Sequence, residues 1–123
     1  PADTESPTTL IETGRKLSRD KDYAGAITAF DKAIAAEPKL ARAWSGRGFA
    51  KLGQDELAGA KADFEQALTL EDAPKFQAAV FFNLGQIAEK QNDPTAALSH
   101  YEKANTLSPS NAAKKRIEAL QKR

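Results

Sequence analysis

The sequence predicts an all-α fold, a stacked array of three helix-turn-helix repeats closed by a seventh helix. A short skeleton recurs along the chain: Ala26, Phe30 and Ala33 return as Ala60, Phe64 and Ala67, and again as Ala97, Tyr101 and Ala104. The steps are 34 and then 37 residues, the signature of a repeat array. A glycine upstream keeps the same steps, as Gly14, Gly48 and Gly85. No stretch alternates β-branched with polar residues as a strand would, while alanine, a strong helix former, is abundant.

Taken in order, residues 1–6 read as a flexible tail, polar, proline-containing and without periodicity. Ser6-Pro7 fits an N-cap followed by proline at the first helical position, and opens a helix to about Arg19 with Leu10 and Leu17 on one face. Asp22 caps the next helix, whose stripe is Ile27, Phe30 and Ile34, and Pro38 stops it. The second repeat opens with Ala43 and Trp44 and breaks at Gly53. Asp55 is read as the cap of a helix carrying Leu57, Ala60, Phe64, Ala67 and Leu68. Asp72-Ala73-Pro74 is a start signal for a helix carrying Phe76, Val80, Phe81, Leu84 and Ile87. Asn92-Asp93-Pro94 supplies a turn, a cap and a first-position proline for the next, which ends near Ser108-Pro109. The last segment has Ala113, Ile117 and Leu120 on one face and Lys114, Lys115, Arg116, Lys122 and Arg123 around them, as the end of a stack requires. The expected repeats are about 7–40, 41–74 and 78–111, with a capping helix at about 111–122, in a single domain 7–123.

Packing accounts for the recurring residue types. Two antiparallel helices approach closely only where facing positions are small, so Gly14, Gly48 and Gly85 are expected to meet Ala26, Ala60 and Ala97. The aromatic at Phe30, Phe64 or Tyr101 would then fill the wedge towards the next pair. Three extra residues between the second and third repeats amount to nearly one helical turn. They predict a lengthened helix or loop around Thr69 to Gln77.

These residues resemble the tetratricopeptide repeat family. The third repeat has Phe81, Leu84-Gly85, Ala97, Tyr101, Ala104 and Pro109. The second has Trp44, Gly48, Ala60, Phe64 and Ala67, and the first Gly14, Tyr23, Ala26, Phe30, Ala33 and Pro38. The chain departs from the family pattern at Arg47 and Lys51, where the family prefers Leu and Tyr. It departs again at Gly53, two residues before the usual turn glycine, and at Asp72, where proline is usual. The resemblance covers about residues 7 to 123 and implies a right-handed α-α superhelix, a solenoid of three repeats with a capping helix.

Composition narrows the chemistry. The chain of 123 residues has a net charge of +1, which gives it no overall attraction to nucleic acid or anionic membrane. With no cysteine there is no thiol chemistry or thiolate metal site. No apolar run approaches the roughly 18 residues of a spanning helix. The reading is therefore a soluble chain, cytoplasmic or exported, with the compartment left open. It starts at Pro1, as either a trimmed chain or a mature one that has lost a leader. The single histidine, His100, is read as a solvated surface residue. Asp31, Glu37, Asp63 and Glu65 alternate with lysines and are read as a solvated outer face rather than an acid–base pair. No glycine-rich loop joins a strand to a helix, and no base accompanies a serine. No catalytic residue, metal or cofactor is expected, and the chain is not read as an enzyme. The basic residues of the last segment are read as solubilising cations that complement a helix C-terminus, so a nucleic-acid partner is disfavoured.

The resemblance implies a protein-interaction module or adaptor that binds a peptide in a concave groove lined by the first helix of each pair. Carried over, the groove positions are Ile11, Arg15, Ser18 and Arg19, then Arg42, Ser45, Gly46, Phe49 and Leu52, then Ala79, Phe82, Asn83, Gln86 and Lys90. Arginines offer forked donors to carboxylates, Asn83 and Gln86 can hold a peptide backbone, and Phe49 and Phe82 offer apolar anchors. The partner expected is a peptide or protein segment of acidic and apolar character. A subfamily clamps chaperone-tail carboxylates with a Lys, Asn, Asn, Lys, Arg set. The matching positions here are Ile11, Arg15, Gly46, Ala79 and Asn83, none of which agrees, so that clamp is not expected. A self-associating scaffold module, or an interaction domain of a larger protein, are the alternatives.

Overall fold

Start and stop signals of the kind just described set the helix limits. The computed structural model describes residues 5–122, and these form seven helices: α1 (Pro7–Arg19), α2 (Tyr23–Ala36), α3 (Ala41–Gly53), α4 (Leu57–Leu70), α5 (Pro74–Lys90), α6 (Pro94–Leu107) and α7 (Asn111–Gln121). Among the described residues there is no strand. The expected tail at residues 1–6 falls mostly outside the described residues. Ser6, Asp22, Asp93 and Ser110 each cap a helix by accepting the backbone N–H three residues on, at 3.0 to 3.1 Å. Prolines stand at the first turns of α1, α5 and α6, where their missing N–H costs nothing.

The turns within the pairs repeat one geometry. Lys21, Asp55 and Asn92 have positive φ of 64°, 64° and 59°. The next residue's N–H reaches back to the carbonyl five residues earlier: Asp22 to Leu17 at 2.8 Å, Glu56 to Lys51 at 2.9 Å and Asp93 to Ala88 at 2.9 Å. This corrects the reading of Asp55 as a cap, because Asp55 is the left-handed turn residue and Glu56 directly precedes α4. The extra residues before the third pair lengthen its first helix. α5 has 17 residues where α1 and α3 have 13, and it begins at Pro74, where the start signal placed it, four residues ahead of the repeat boundary expected at about 78.

The chain divides into two compact units, one ending at Leu70 and the other starting at Glu71. In the first unit α1 packs on α2, α2 on α3 and α3 on α4. Its core gathers Leu10, Ile11, Ala26, Phe30, Ala33, Ala43 and Ala50, with Leu17, Tyr23, Ile27, Ile34 and Leu40 against them. In the second, α5 packs on α6 and α6 on α7, around Ala88, Ala97, Tyr101 and Leu120. Phe82, Ala96, Leu98 and Ile117 pack against that cluster.

The glycines face aromatic rings more than alanines. A methyl carbon placed on Gly14 would lie 2.7 Å from Phe30 Cζ, one on Gly46 2.4 Å from the same atom, and one on Gly85 2.6 Å from Tyr101 Cε1. Gly48 meets both the Ala60 carbonyl and the Phe64 ring, at 3.2 Å. The expected glycine-to-alanine contact thus holds in part at Gly48, while Phe30 does fill a wedge between two pairs, seated between Gly14 of α1 and Gly46 of α3. Gly53, misplaced as a turn glycine, is explained by the Tyr23 ring, 2.5 Å from where its methyl would be.

Phe30 is 1% exposed and confined on both sides, so it cannot yield to an added methyl. Gly14→Ala and Gly46→Ala should each lower stability by about 1–3 kcal/mol, despite the helix propensity gained. Because the two share one ring, the double variant should not cost the sum. Urea denaturation of the two variants and their double checks both expectations, and two neutral single variants would contradict them.

Candidate functional site

Three sets of polar and exposed residues are candidates for function, two of them ionic clusters that prove structural. Arg47 of α3 grips Asp63 of α4 with two parallel bonds, Nε to Oδ2 and Nη2 to Oδ1, both 2.9 Å. Its Nη1 reaches Asp31 Oδ1 of α2 at 2.8 Å, and Lys51 Nζ lies 3.2 Å from Asp63 Oδ2. The guanidinium lies 5.0 Å over the Trp44 ring, whose Nε1–H donates to the Pro38 carbonyl at 2.8 Å. Asp63 is only 3% exposed, so it is not part of a solvated outer face as its charge pattern suggested. The hydrogen bond from Arg47 to Asp63 holds the guanidinium pKa well above its ordinary value, against the opposing effect of burial. Arg47 and Lys51, two of the departures from the family pattern, are thus accounted for as partners of Asp63.

In the second unit Glu89 of α5 receives Tyr101 Oη of α6 at 2.6 Å and Arg116 Nε of α7 at 3.0 Å. Arg116 Nη2 also donates to Glu89 Oε2. Arg116 is therefore a fastening for α7 rather than one more solubilising cation; Arg123 lies outside the described residues. Burial first, and then the bond to Glu89, push the Tyr101 phenol well above its ordinary pKa. His100 also departs from expectation: it is half-buried, its ring stacked on Phe81 at 6.1 Å between centroids. No group of three or more potential metal-binding side chains occurs among the described residues. None of their helices is long and apolar enough to cross a membrane.

The remaining candidates are the expected groove residues. In the first unit Arg15 and Arg19 of α1 and Arg42 of α3 are exposed, and Phe49 of α3 is 46% exposed. The guanidinium groups of Arg15, Arg19 and Arg42 pair with no carboxylate among the described residues, in contrast to Arg47 and Arg116. Two assignments are overturned. Ile11 is 1% exposed and belongs to the core, and Ser18 is buried with a hydroxyl that has no partner. Gly46 is committed to Phe30. In the second unit Phe82, Asn83 and Gln86 are half-buried, while Ala79 and Lys90 are exposed.

Of these, Ala79, Phe82 and Asn83 come together in one pocket of about 310 Å³ within the second unit. Lys75, on the added turn of α5, joins them, with Ser108 and Ser110 from the end of α6 and the start of α7. Sequence reasoning passed over these three. The signal for Lys75 was the three-residue insertion, read as a change of length and not as a side chain added to a site.

The chain matches the tetratricopeptide repeat family model over residues 50–112 and belongs to that family. It is 29% identical over 109 residues to the Caenorhabditis elegans cell division cycle protein 27 homolog, covering 89% of this chain and 14% of that protein. It thus spans about 14% of that relative's length. Among solved structures it resembles the Arabidopsis OM64 TPR domain, with a TM-score of 0.88 at 20% identity and 95% of both chains covered. It also resembles the first TPR of Spaghetti (RPAP3) bound to an HSP90 peptide, with a TM-score of 0.86 at 21% identity, covering 98% of this chain and 94% of that one. These likenesses show the all-α helical-repeat fold.

Two measurements test the ionic clusters. Arg47→Ala strands a buried carboxylate and should cost about 3 kcal/mol, towards the low end for such a loss because Lys51 remains. Arg47→Leu combined with Asp63→Ala should come within about 1 kcal/mol of the parent in urea melts, since no buried charge is then left alone. Tyr101 tests the other cluster. Its folded pKa is raised above the ordinary 10.0, so its contribution is complete below that pH and is lost as pH rises towards the folded value. Urea midpoints should therefore fall above about pH 10, and Tyr101→Phe should show a shallower fall.

Proposed function

We propose that the chain is a protein-interaction module, without catalytic activity of its own, that captures a peptide or protein segment of acidic and apolar character on the exposed faces of its pair-opening helices. The observation that carries this reading is the contrast among the arginines. Arg47 and Arg116 are used inside their units, each with a carboxylate gripped by more than one bond. Arg15, Arg19 and Arg42 have no such partner among the described residues, and α3 carries the exposed Phe49 beside Arg42's own helix face. Unpaired forked donors, one of them on the same helix as an exposed aromatic, suit carboxylates spaced among apolar side chains. Family membership supports the general reading, since tetratricopeptide repeats are generally interaction modules and not catalysts.

A chaperone-tail clamp is not part of this proposal. At its five positions stand Ile11, which is in the core, Gly46, which is against Phe30, and Arg15, Ala79 and Asn83, which are not the clamp's residues. A nucleic-acid partner is not proposed either, because Arg116 of the basic segment is already paired with Glu89.

Selection of a random peptide library on the intact chain should enrich sequences that mix Asp or Glu with apolar residues. Arg15→Glu combined with Arg42→Glu should weaken the selected peptides by at least about tenfold, with a smaller salt dependence than the parent. Phe49→Ala should cost about 1–2 kcal/mol of binding while leaving folding intact, given its exposure. Undiminished binding by both variants would contradict the reading.

A further inference from the structure

The pocket of the second unit has a donor set that nothing among the described residues uses. No carboxylate among those residues lines it. Lys75 is exposed and forms no ion pair among the described residues. The Asn83 amide and the Ser108 hydroxyl, both on half-buried residues, make no side-chain hydrogen bond there. The Ser110 hydroxyl, in contrast, already accepts the Ala113 N–H at 3.1 Å. Phe82 lines the same pocket with Ala78 and Ala79, and its ring is tilted against that of Tyr101 at 5.2 Å between centroids.

We propose that this pocket receives the side chain of a glutamate in a bound peptide segment. Lys75 supplies the one cation, and Asn83 and Ser108 supply uncharged donors, which matches a single negative charge and not a dianion. The two methylenes of glutamate would lie on Phe82 and the alanines, where their burial is favourable. The volume of about 310 Å³ exceeds that side chain and leaves room for its neighbours, and the pocket is open to solvent, so a peptide can pass over it. This inference rests on the interaction-module reading and adds to it a particular residue and its seat.

Titration of the ¹⁵N-labelled full chain with acetyl-Leu-Glu-Leu-amide, followed by amide spectra, tests it. The expected result is saturable movement of the Asn83 side-chain amide and of the Ser108 and Ala112 backbone signals. Acetyl-Leu-Gln-Leu-amide should bind roughly tenfold more weakly. Lys75→Glu, at an exposed position, should weaken the glutamate peptide by a similar factor, and Lys75→Arg should retain it. Equal shifts with the glutamine peptide, unchanged binding by Lys75→Glu, or no movement of these signals overturns the inference. So does an equally strong effect of acetyl-Leu-Leu with a free C-terminal carboxylate, which would make the ligand a chain end. The same spectra keep the two proposals apart. Movement at Arg15, Arg42 and Phe49 without movement in α5 removes the glutamate seat and leaves the broader reading standing.

Discussion

The first unit depends on a flat ring placed where no side chain stands opposite. Phe30 lies between Gly14 and Gly46, and either glycine would collide with it if it carried even one methyl. A ring in this position joins α2 to its own partner helix and to the first helix of the following pair. The hydrophobic gain of burying it therefore ties two repeats together, and the small residues Ala26 and Ala33 on the same helix let the backbones close around it. Tyr101 against Gly85 uses the same device in the second unit, but its hydroxyl needs a partner. Glu89 provides one and in turn holds Arg116, so the polar tip of one core ring fastens α7.

Most of the fold was legible because helix pairing writes short-range, periodic signals. Ser6-Pro7, Asp22 and Asp93-Pro94 act within one turn of their own position, and the glycine–aromatic pairs repeat at fixed steps. Asp55 was misread because an acidic residue before a helix can be its cap or its turn. Only the backbone conformation distinguishes them, and Glu56 next to it makes the choice invisible in the letters. The lengthening of α5 could be anticipated from the residue count, and its start at Pro74 from the Asp72-Ala73-Pro74 signal.

The candidate site was less legible, since it depends on which side of a helix each polar residue takes. Asp63 looks like any acidic residue in a charged helix until Arg47 and Lys51, sixteen and twelve residues earlier, are brought against it. That the same two positions broke the family pattern was the available clue, because a buried carboxylate needs compensating cations. Ile11 and Ser18 were assigned to a partner by positional analogy, yet the close approach of α1 to α2 and α3 buries both.

The turns within the pairs have a consequence for how freely the chain can be altered. Lys21, Asp55 and Asn92 adopt a left-handed conformation that costs an L-residue about 1–2 kcal/mol, and no glycine relieves it. The turn is kept by its backbone bonds to the preceding helix and by the helix that follows. All three side chains are exposed. These are positions where the backbone geometry is set by its surroundings and the side chain touches no core, at the same sequence steps as the rings themselves. Lys21 in the first unit and Asn92 in the second offer attachment points for a dye, a spin label or a linker to a solid support, at side chains that no ion pair or side-chain hydrogen bond among the described residues engages.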